Sequence, residues 1–267
     1  MIRSLRSHWP EYLMEAFGLG AFMVAACLVT ALLEHPSSPV HAAVPSGATR
    51  RAIIGLAMGL TAVAIIYSPW GKRSGAHLNP AVTLTFLRLG RVAPWDALFY
   101  VVAQFAGGAL GVLLSWAVVP AAIAHPSVRF VVTVPGDAGP VVALAGEAII
   151  SFLLMATILV VGASRWASQT GIVAGCLVAA YIAVEAPYSG MSMNPARTAA
   201  SAIVAGDWTA AWLYFATPPA AMLLAAETYV RTVGWARVAC AKLRHTADVR
   251  CIFCGLVPPE AGGGERS

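Results

Sequence analysis

The chain has 267 residues, of which 59% are hydrophobic and 11% are charged, and its formal net charge is +5. Ordinary soluble domains carry roughly 25% charged residues, so this composition excludes a soluble globular protein and favours an integral membrane protein. Membrane topology explains the positive charge better than nucleic-acid binding does, because lysine and arginine collect in cytoplasmic loops.

Six stretches are long enough to cross a bilayer core, which takes about 20 mostly apolar residues. In chain order they are Pro10–Leu33, Arg51–Ser68, Pro94–Val118, Pro140–Gly162, Thr170–Glu185 and Thr209–Arg231. With six spans both termini share one side, which collects thirteen Lys and Arg residues against four on the other. The pattern predicts a multi-pass protein of the cell (plasma or inner) membrane, with residues 1–9 and 233–267 in the cytoplasm.

One tripeptide occurs twice, as Asn79-Pro80-Ala81 and Asn194-Pro195-Ala196, 115 residues apart. Each copy lies between the second and third span of its half, and three spans per half place the two copies on opposite sides of the membrane. The pattern therefore predicts an inverted repeat, with repeat one at residues 10–125 and repeat two at residues 140–232. Glu15 and Glu147 occupy the first span of each half and support this pairing.

The apolar stretches after the two tripeptides, Ala81–Leu89 and Ala196–Ala205, each hold about ten residues. At 1.5 Å per residue a helix of that length covers roughly 15 Å, which is half of the hydrocarbon core. We therefore expect two half-helices that enter from opposite faces and meet at their N-termini. The irregular segments before them must line a water-filled path or be buried in protein.

Asparagine followed by proline is a favourable helix start, because asparagine caps the helix and proline at the first position loses no hydrogen bond. The bare alternative is that each asparagine is only a cap. Two mirrored caps, however, predict a joint function. Two facing helix N-termini carry roughly half a positive charge each and repel cations, while the amides attract a neutral molecule with a lone pair.

At these residues the chain resembles the major intrinsic protein family, the aquaporins and aquaglyceroporins. The resemblance covers about residues 10–232 and includes SGAHLNPAVT, SGMSMNPAR, Glu15, Glu147, and Gln104 with Gly107-Gly108. It implies an all-α membrane fold with six spans and two re-entrant half-helices, a pore in each subunit, and a homotetramer. It also implies that Asn79 and Asn194 are pore donors and that Glu15, Glu147 and Gln104 brace the loops. The implied carbonyl acceptors along the pore are those of Ala76, His77, Leu78, Gly190 and Ser192.

The resemblance further implies a narrow selectivity filter formed by Met58, Ile182, Met191 and Arg197. This filter is more apolar than that of strict water channels and lacks the aromatic pair typical of glycerol channels. Thr198 and the pair Tyr214-Phe215 instead match the water-type branch. The filter therefore differs from those of both branches, whereas Thr198 and the pair Tyr214-Phe215 favour the water-type branch.

We interpret the chain as a passive channel for water, without a cofactor or enzymatic activity. Alternatives within the same class are glycerol, ammonia or hydrogen peroxide as the main solute. An alternating-access transporter also uses inverted repeats, but its substrate site normally carries an ionisable residue, whereas the midplane candidates here are amides. A membrane enzyme is third, because no nucleophile–base pair falls within the spans.

The tail contains Cys240, His245, Cys251 and Cys254. Their spacing permits a zinc site of the Cys₃His type, and the alternative is a set of ordinary reduced thiols beside the membrane. Cys27 and Cys176 lie within predicted spans, and no extracellular disulfide framework is indicated.

Overall fold

The computed structural model describes residues 1–258, and within that range the chain is helical without a β-strand. Residues 259–267, the end of the predicted tail, lie outside the described residues. The helices in chain order are α1 Ile2–Glu34, α2 Pro39–Ala43, α3 Gly47–Tyr67, α4 Pro69–Ser74, α5 Pro80–Arg88, α6 Pro94–Val118, α7 Pro120–Ala124, α8 Pro140–Gly162, α9 Thr170–Val184, α10 Ala186–Ser189, α11 Pro195–Ala205 and α12 Ala211–Thr232. Seven of them begin at a proline, the position where its missing N–H costs nothing. The prediction of an all-helical fold is confirmed.

Among the described residues, five helical segments are long and apolar enough to cross a membrane. They are α1, α3, α6, α8 and Ala167–Val184, which joins a short 3₁₀ turn to α9. The sixth predicted span corresponds to α12, which is less apolar because it contains Pro218, Pro219 and Glu227. The half-helices predicted after the two tripeptides are α5 and α11.

The first helix begins earlier than the predicted membrane span, at Ile2 instead of Pro10, so residues 2–9 continue the helix beyond that span. Proline in a helix interior removes a hydrogen bond, which is why Pro10 reads as a boundary in the sequence. Tertiary contacts hold the extension in place. Asp96 at the start of α6 accepts a hydrogen bond from the Tyr12 hydroxyl at 2.6 Å and lies 2.9 Å from His8 Nδ1.

Each half-helix packs mainly against a span of the other repeat. Helix α1 packs on α6 in the first repeat and α8 packs on α12 in the second, while α3 and α9 pack against each other between the repeats. The half-helix α11 of the second repeat packs on α6, and α5 of the first repeat packs on α12. Each half-helix is therefore enclosed largely by spans of the other repeat, and the two N-termini approach each other inside the bundle.

The closest helix crossings need glycine. A Cβ atom on Gly107 of α6 would lie 2.0 Å from the backbone oxygen of Ala16 in α1. A Cβ atom on Gly59 of α3 would lie 2.5 Å from the backbone oxygen of Gly175 in α9. Any larger residue at either crossing would push the two backbones apart, as in other small-residue contacts between membrane helices.

Candidate functional site

Two non-helical loops precede the half-helices, at residues 75–79 and 190–194. In both loops the same alternate residues have left-handed backbone, with φ of 53° at Ala76, 51° at Leu78, 50° at Met191 and 53° at Met193. This conformation is uncommon for residues other than glycine and needs support from the surrounding structure. Alternating left-handed residues make neighbouring N–H groups converge on one point, where an anion can bind.

In the first loop that anion is the carboxylate of Glu15, which is fully buried. It accepts hydrogen bonds from the backbone N–H groups of His77 at 3.0 Å and Leu78 at 2.7 Å. It also accepts from Ser74 Oγ at 2.8 Å and from Gln104 Nε2 at 2.9 Å. Because these four donors occupy both oxygens, Glu15 ties the loop to α1 and α6.

Glu147 has the same role in the second loop and is also fully buried. Its carboxylate accepts from the N–H groups of Ser192 at 2.5 Å and Met193 at 2.7 Å, and from Ser189 Oγ at 3.0 Å. The two carboxylates thus make equivalent contacts from α1 and α8. With the N–H groups directed at the carboxylates, the loop backbones are free to present carbonyl groups on their other side.

Asn79 and Asn194 cap the two half-helices. Asn79 Oδ1 accepts from the N–H of Ala81 at 2.8 Å, and Asn194 Oδ1 accepts from the N–H of Ala196 at 3.0 Å. Each cap therefore uses the acceptor end of its amide and leaves the NH₂ end directed away from its own helix.

The two NH₂ groups cross between the repeats. Asn79 Nδ2 donates to the carbonyl oxygen of Met193, and Asn194 Nδ2 donates to the carbonyl oxygen of Leu78, both at 2.7 Å. An amide NH₂ has two donor hydrogens, so each asparagine keeps one N–H after this contact. Both residues border the same cavity. The arrangement holds the half-helix N-termini together and keeps two donors side by side.

A cavity of about 640 Å³ runs through the bundle along both loops. It is bordered at one end by Glu34, the last residue of α1, and by Arg50 and Arg51 in the first turns of α3, and at the other end by Leu243 of the tail. All five residues expected to offer pore carbonyls border it, namely Ala76, His77, Leu78, Gly190 and Ser192. The equivalents of Ala76–Leu78 at the 115-residue spacing are residues 191–193, so the expected set contained Gly190 in place of Met191 and Met193.

The four residues expected to form a filter, Met58, Ile182, Met191 and Arg197, border the same cavity. Arg197 is held through its backbone, whose N–H donates to Asn194 Oδ1 at 3.2 Å. Its Nη1 is buried and has no hydrogen-bond partner among the described residues. A buried donor without a partner is costly, so Nη1 has hydrogen-bonding capacity left for a molecule in the cavity.

Two pairs of supporting residues were missed from the sequence. Ser74 and Ser189 each bind the carboxylate of their own repeat, as given above. The hydroxyl of Tyr100 donates to the carbonyl oxygen of Ser74 at 2.6 Å, and that of Tyr214 donates to the carbonyl oxygen of Ser189 at 2.5 Å. The serines stand five residues before each asparagine and the tyrosines 21 and 20 residues after it. This repeated spacing is the signal that would have identified them.

The four tail residues Cys240, His245, Cys251 and Cys254 also come together, with their side-chain ligand atoms all within 4.8 Å of one another. They lie outside the cavity, beyond the end that Leu243 borders.

Comparison with known proteins agrees with this geometry. A model described as "Major intrinsic protein" matches residues 1–229. The chain is 40% identical to "Aquaporin NIP1-3" of Oryza sativa subsp. japonica over 163 residues, which are 60% of this chain and 54% of that protein. It is 33% identical to "Aquaporin-4" of Bos taurus over 180 residues, which are 66% of this chain and 55% of that protein.

Among solved structures, the aquaglyceroporin from Plasmodium falciparum superposes with a TM-score of 0.72 at 19% identity, covering 85% of this chain and 97% of that one. This match establishes the fold and carries no information on the solute. The chain spans about half the length of the sequence relatives that it matches.

Proposed function

The chain belongs to the major intrinsic protein family, whose members are channels and not enzymes, and from this premise we propose that it forms a passive pore for water. Small uncharged solutes are the second class of permeant. The observation that carries the proposal is the reciprocal contact of Asn79 and Asn194 with the opposite loop, beside one continuous cavity. Two helix N-termini facing one point give that point a positive potential, which repels cations and accepts the oxygen of a neutral molecule.

The buried carboxylates favour a channel over a coupled transporter. An ion-coupled transporter needs a group that can bind or release its coupling ion near the substrate site. Both oxygens of Glu15 and of Glu147 already accept hydrogen bonds from loop N–H groups and serine hydroxyls. Glu15 accepts four hydrogen bonds and Glu147 accepts three of the roughly four that a carboxylate can accept, which supports a role in holding the loops.

The choice of solute depends on the proposed filter. Three of its four side chains, those of Met58, Ile182 and Met191, are apolar, and Arg197 supplies the donor. A filter with one cation and apolar walls admits water by its oxygen, and its walls can pack against the carbon atoms of glycerol. The second candidate function, conduction of glycerol, rests on these apolar walls, while ammonia and hydrogen peroxide are alternatives because they are small and uncharged.

Stopped-flow light scattering on proteoliposomes tests both functions. Osmotic shrinkage faster than that of empty liposomes, with a low activation energy, supports the water pore. Running glycerol, ammonia and hydrogen peroxide in the same vesicles ranks the solutes. If water and all three solutes cross no faster than in empty liposomes, both with and without a metal chelator, the channel proposal is wrong.

The homotetramer and the cytoplasmic position of both termini are further parts of this proposal. The exposed apolar side chains of the outer helices provide the surfaces that lipid and neighbouring subunits would cover. Native mass spectrometry in detergent should give four copies per particle. A thiol reagent that does not cross membranes, applied together with a metal chelator, should leave Cys254 unlabelled in intact cells and label it in inverted vesicles.

A further inference from the structure

The described part of the tail folds back against one end of the cavity and brings three cysteines and one histidine together. Cys240 Sγ lies 3.4 Å from Cys251 Sγ, and His245 Nε2 lies 3.3 Å from Cys254 Sγ. All four ligand atoms fall within 4.8 Å of one another. In a tetrahedral zinc site with Zn–S bonds of about 2.3 Å, the sulfur atoms lie about 3.8 Å apart. The separation of Cys240 and Cys251 is slightly shorter than this value, and all four atoms lie close enough together for one Zn²⁺ ion to contact them after small side-chain adjustments.

The distances also distinguish this cluster from a disulfide. Bonded sulfur atoms lie about 2.05 Å apart, well below the separation of Cys240 and Cys251. Residues 252–254 form a turn that brings Cys251 and Cys254 to the same side of the cluster. The turn is closed by Gly255, whose N–H donates to the carbonyl oxygen of Cys251 at 3.0 Å.

The segment between the ligands lies against the first re-entrant loop. The carbonyl oxygen of Ala241 lies 2.7 Å from His77 Nε2, and the N–H of Leu243 donates to the carbonyl oxygen of Gly75 at 3.1 Å. Phe253 stacks on the His77 ring with centroids 5.3 Å apart and an interplanar angle of 7°. The tail is thus attached directly to the loop that carries Asn79.

Leu243 is the residue through which the cluster reaches the cavity. It is 6% exposed, and it borders the same cavity as Asn79 and Arg197. Cys240 and His245 stand three residues before it and two residues after it. Fixing both of these ligands to one metal ion would fix Leu243 at the end of the cavity.

We propose that Cys240, His245, Cys251 and Cys254 bind one Zn²⁺ ion, which holds the tail across the cytoplasmic end of the pore with Leu243 as the occluding side chain. The metal site stands on the ligand geometry alone, whereas the occluding role rests on the proposed channel function. Zinc loading then lowers permeability, and loss of zinc releases the tail and raises it.

The metal site is tested without any transport assay. Protein purified without chelators should contain one zinc per chain by elemental analysis, and cobalt exchanged into the site should give the intense visible bands of tetrahedral thiolate coordination. Cys251→Ser and Cys254→Ser should each lose the metal and the bands, while Cys176→Ser, which changes an exposed cysteine of α9, should keep both. Metal-free wild-type protein that also fails to take up cobalt would overturn the site, as would a Cys240–Cys251 disulfide found by mass spectrometry under non-reducing conditions with free thiols blocked at lysis.

The occluding role is tested by measuring the water permeability of wild type, Leu243→Ala and Cys251→Ser in proteoliposomes. Leu243→Ala should keep the zinc and raise permeability several-fold, and Cys251→Ser should raise it by a similar factor. A chelator should activate wild type and leave Cys251→Ser unchanged. Zinc-loaded wild type as permeable as Leu243→Ala and Cys251→Ser would overturn the occlusion and leave the metal site standing. If no variant conducts and zinc is still bound, the channel proposal has failed and the metal site has not.

Discussion

Asn79 in the first repeat donates a hydrogen bond across the bundle to the carbonyl oxygen of Met193 in the second, at 2.7 Å. The mirrored bond, from Asn194 to Leu78, has the same length. The two asparagines therefore act as one unit: each caps its own helix with its oxygen and joins the opposite loop with its nitrogen. A change at either one should affect both halves of the constriction.

Asn79→Asp should separate capping from permeation. An aspartate oxygen still accepts from the N–H of Ala81, so we expect α5 to keep its start. The donor to Met193 is lost, however, and a negative charge enters the constriction. We predict lower water permeability in stopped-flow assays and a new cation conductance in planar bilayers.

Asn194→Asp is the matched variant and should give the same two effects, because the contacts are reciprocal. Normal water permeability without cation conductance in both variants would show that the amide donors do not control passage. A change in only one of them would show that the two asparagines do not act as a unit.

Glu15→Gln and Glu147→Gln test the loop contacts. A glutamine keeps one acceptor oxygen and turns an NH₂ group toward a loop N–H, so at least one buried donor loses its partner. Each such loss costs about 1–3 kcal/mol. We expect both variants to have a lower thermal unfolding midpoint in detergent than wild type.

Glu227→Gln is the control for these variants, because Glu227 pairs with Arg88 where both side chains are partly exposed, at 32% and 48%. Exposed pairs contribute about 0–1 kcal/mol, so its midpoint should move little. Equal decreases in the thermal unfolding midpoint of all three variants would contradict the role of Glu15 and Glu147 in holding the loops.

Gly107→Ala tests the crossing of α1 and α6. The added methyl group would meet the Ala16 backbone at 2.0 Å, and neither helix backbone can give way as a flexible side chain would. Overpacking of this kind costs about 1–3 kcal/mol, and more where backbone must move. We predict a strong loss of folded protein by size-exclusion chromatography.

Gly162→Ala is the control for this crossing. Gly162 is the last residue of α8, and a Cβ atom there has its nearest neighbour, Thr170 Oγ1, at 3.9 Å. This variant should elute as wild type does. A normal elution profile for Gly107→Ala would show that the helices separate without cost.

The duplicated tripeptide made the central part of this fold predictable. Capping chemistry and helix length fixed the half-helices to within one residue of their observed starts at Pro80 and Pro195. The inverted repeat also predicts that Glu15 and Glu147 occupy equivalent positions. Each of these predictions needs only the capping and length of a short helix together with the inverted repeat.

The remaining features depend on contacts that local patterns do not encode. Tyr100 and Tyr214 reach their serine partners only after the spans have packed, and their similar spacing from Asn79 and Asn194 is the one sequence feature that marks them. The extension of α1 to Ile2 depends on Asp96, which stands 94 residues later. The tail cysteines were visible as possible ligands, but the contact of Leu243 with Gly75 was not.

Arg197→Val tests the proposed filter without removing a helix cap. The backbone N–H of residue 197, which donates to Asn194 Oδ1, is retained, so α11 should start as before. The buried cation and its partner-free Nη1 are lost. We therefore predict that water still passes, that glycerol passes faster through the widened filter, and that proton or cation leak appears in vesicles loaded with a pH-sensitive dye. Arg129→Ala, at an exposed arginine paired with Asp207, is the matched control and should leave all three rates unchanged. If Arg197→Val has the same water and glycerol permeabilities as wild type and is equally impermeable to protons and cations, the selectivity filter lies elsewhere along the cavity.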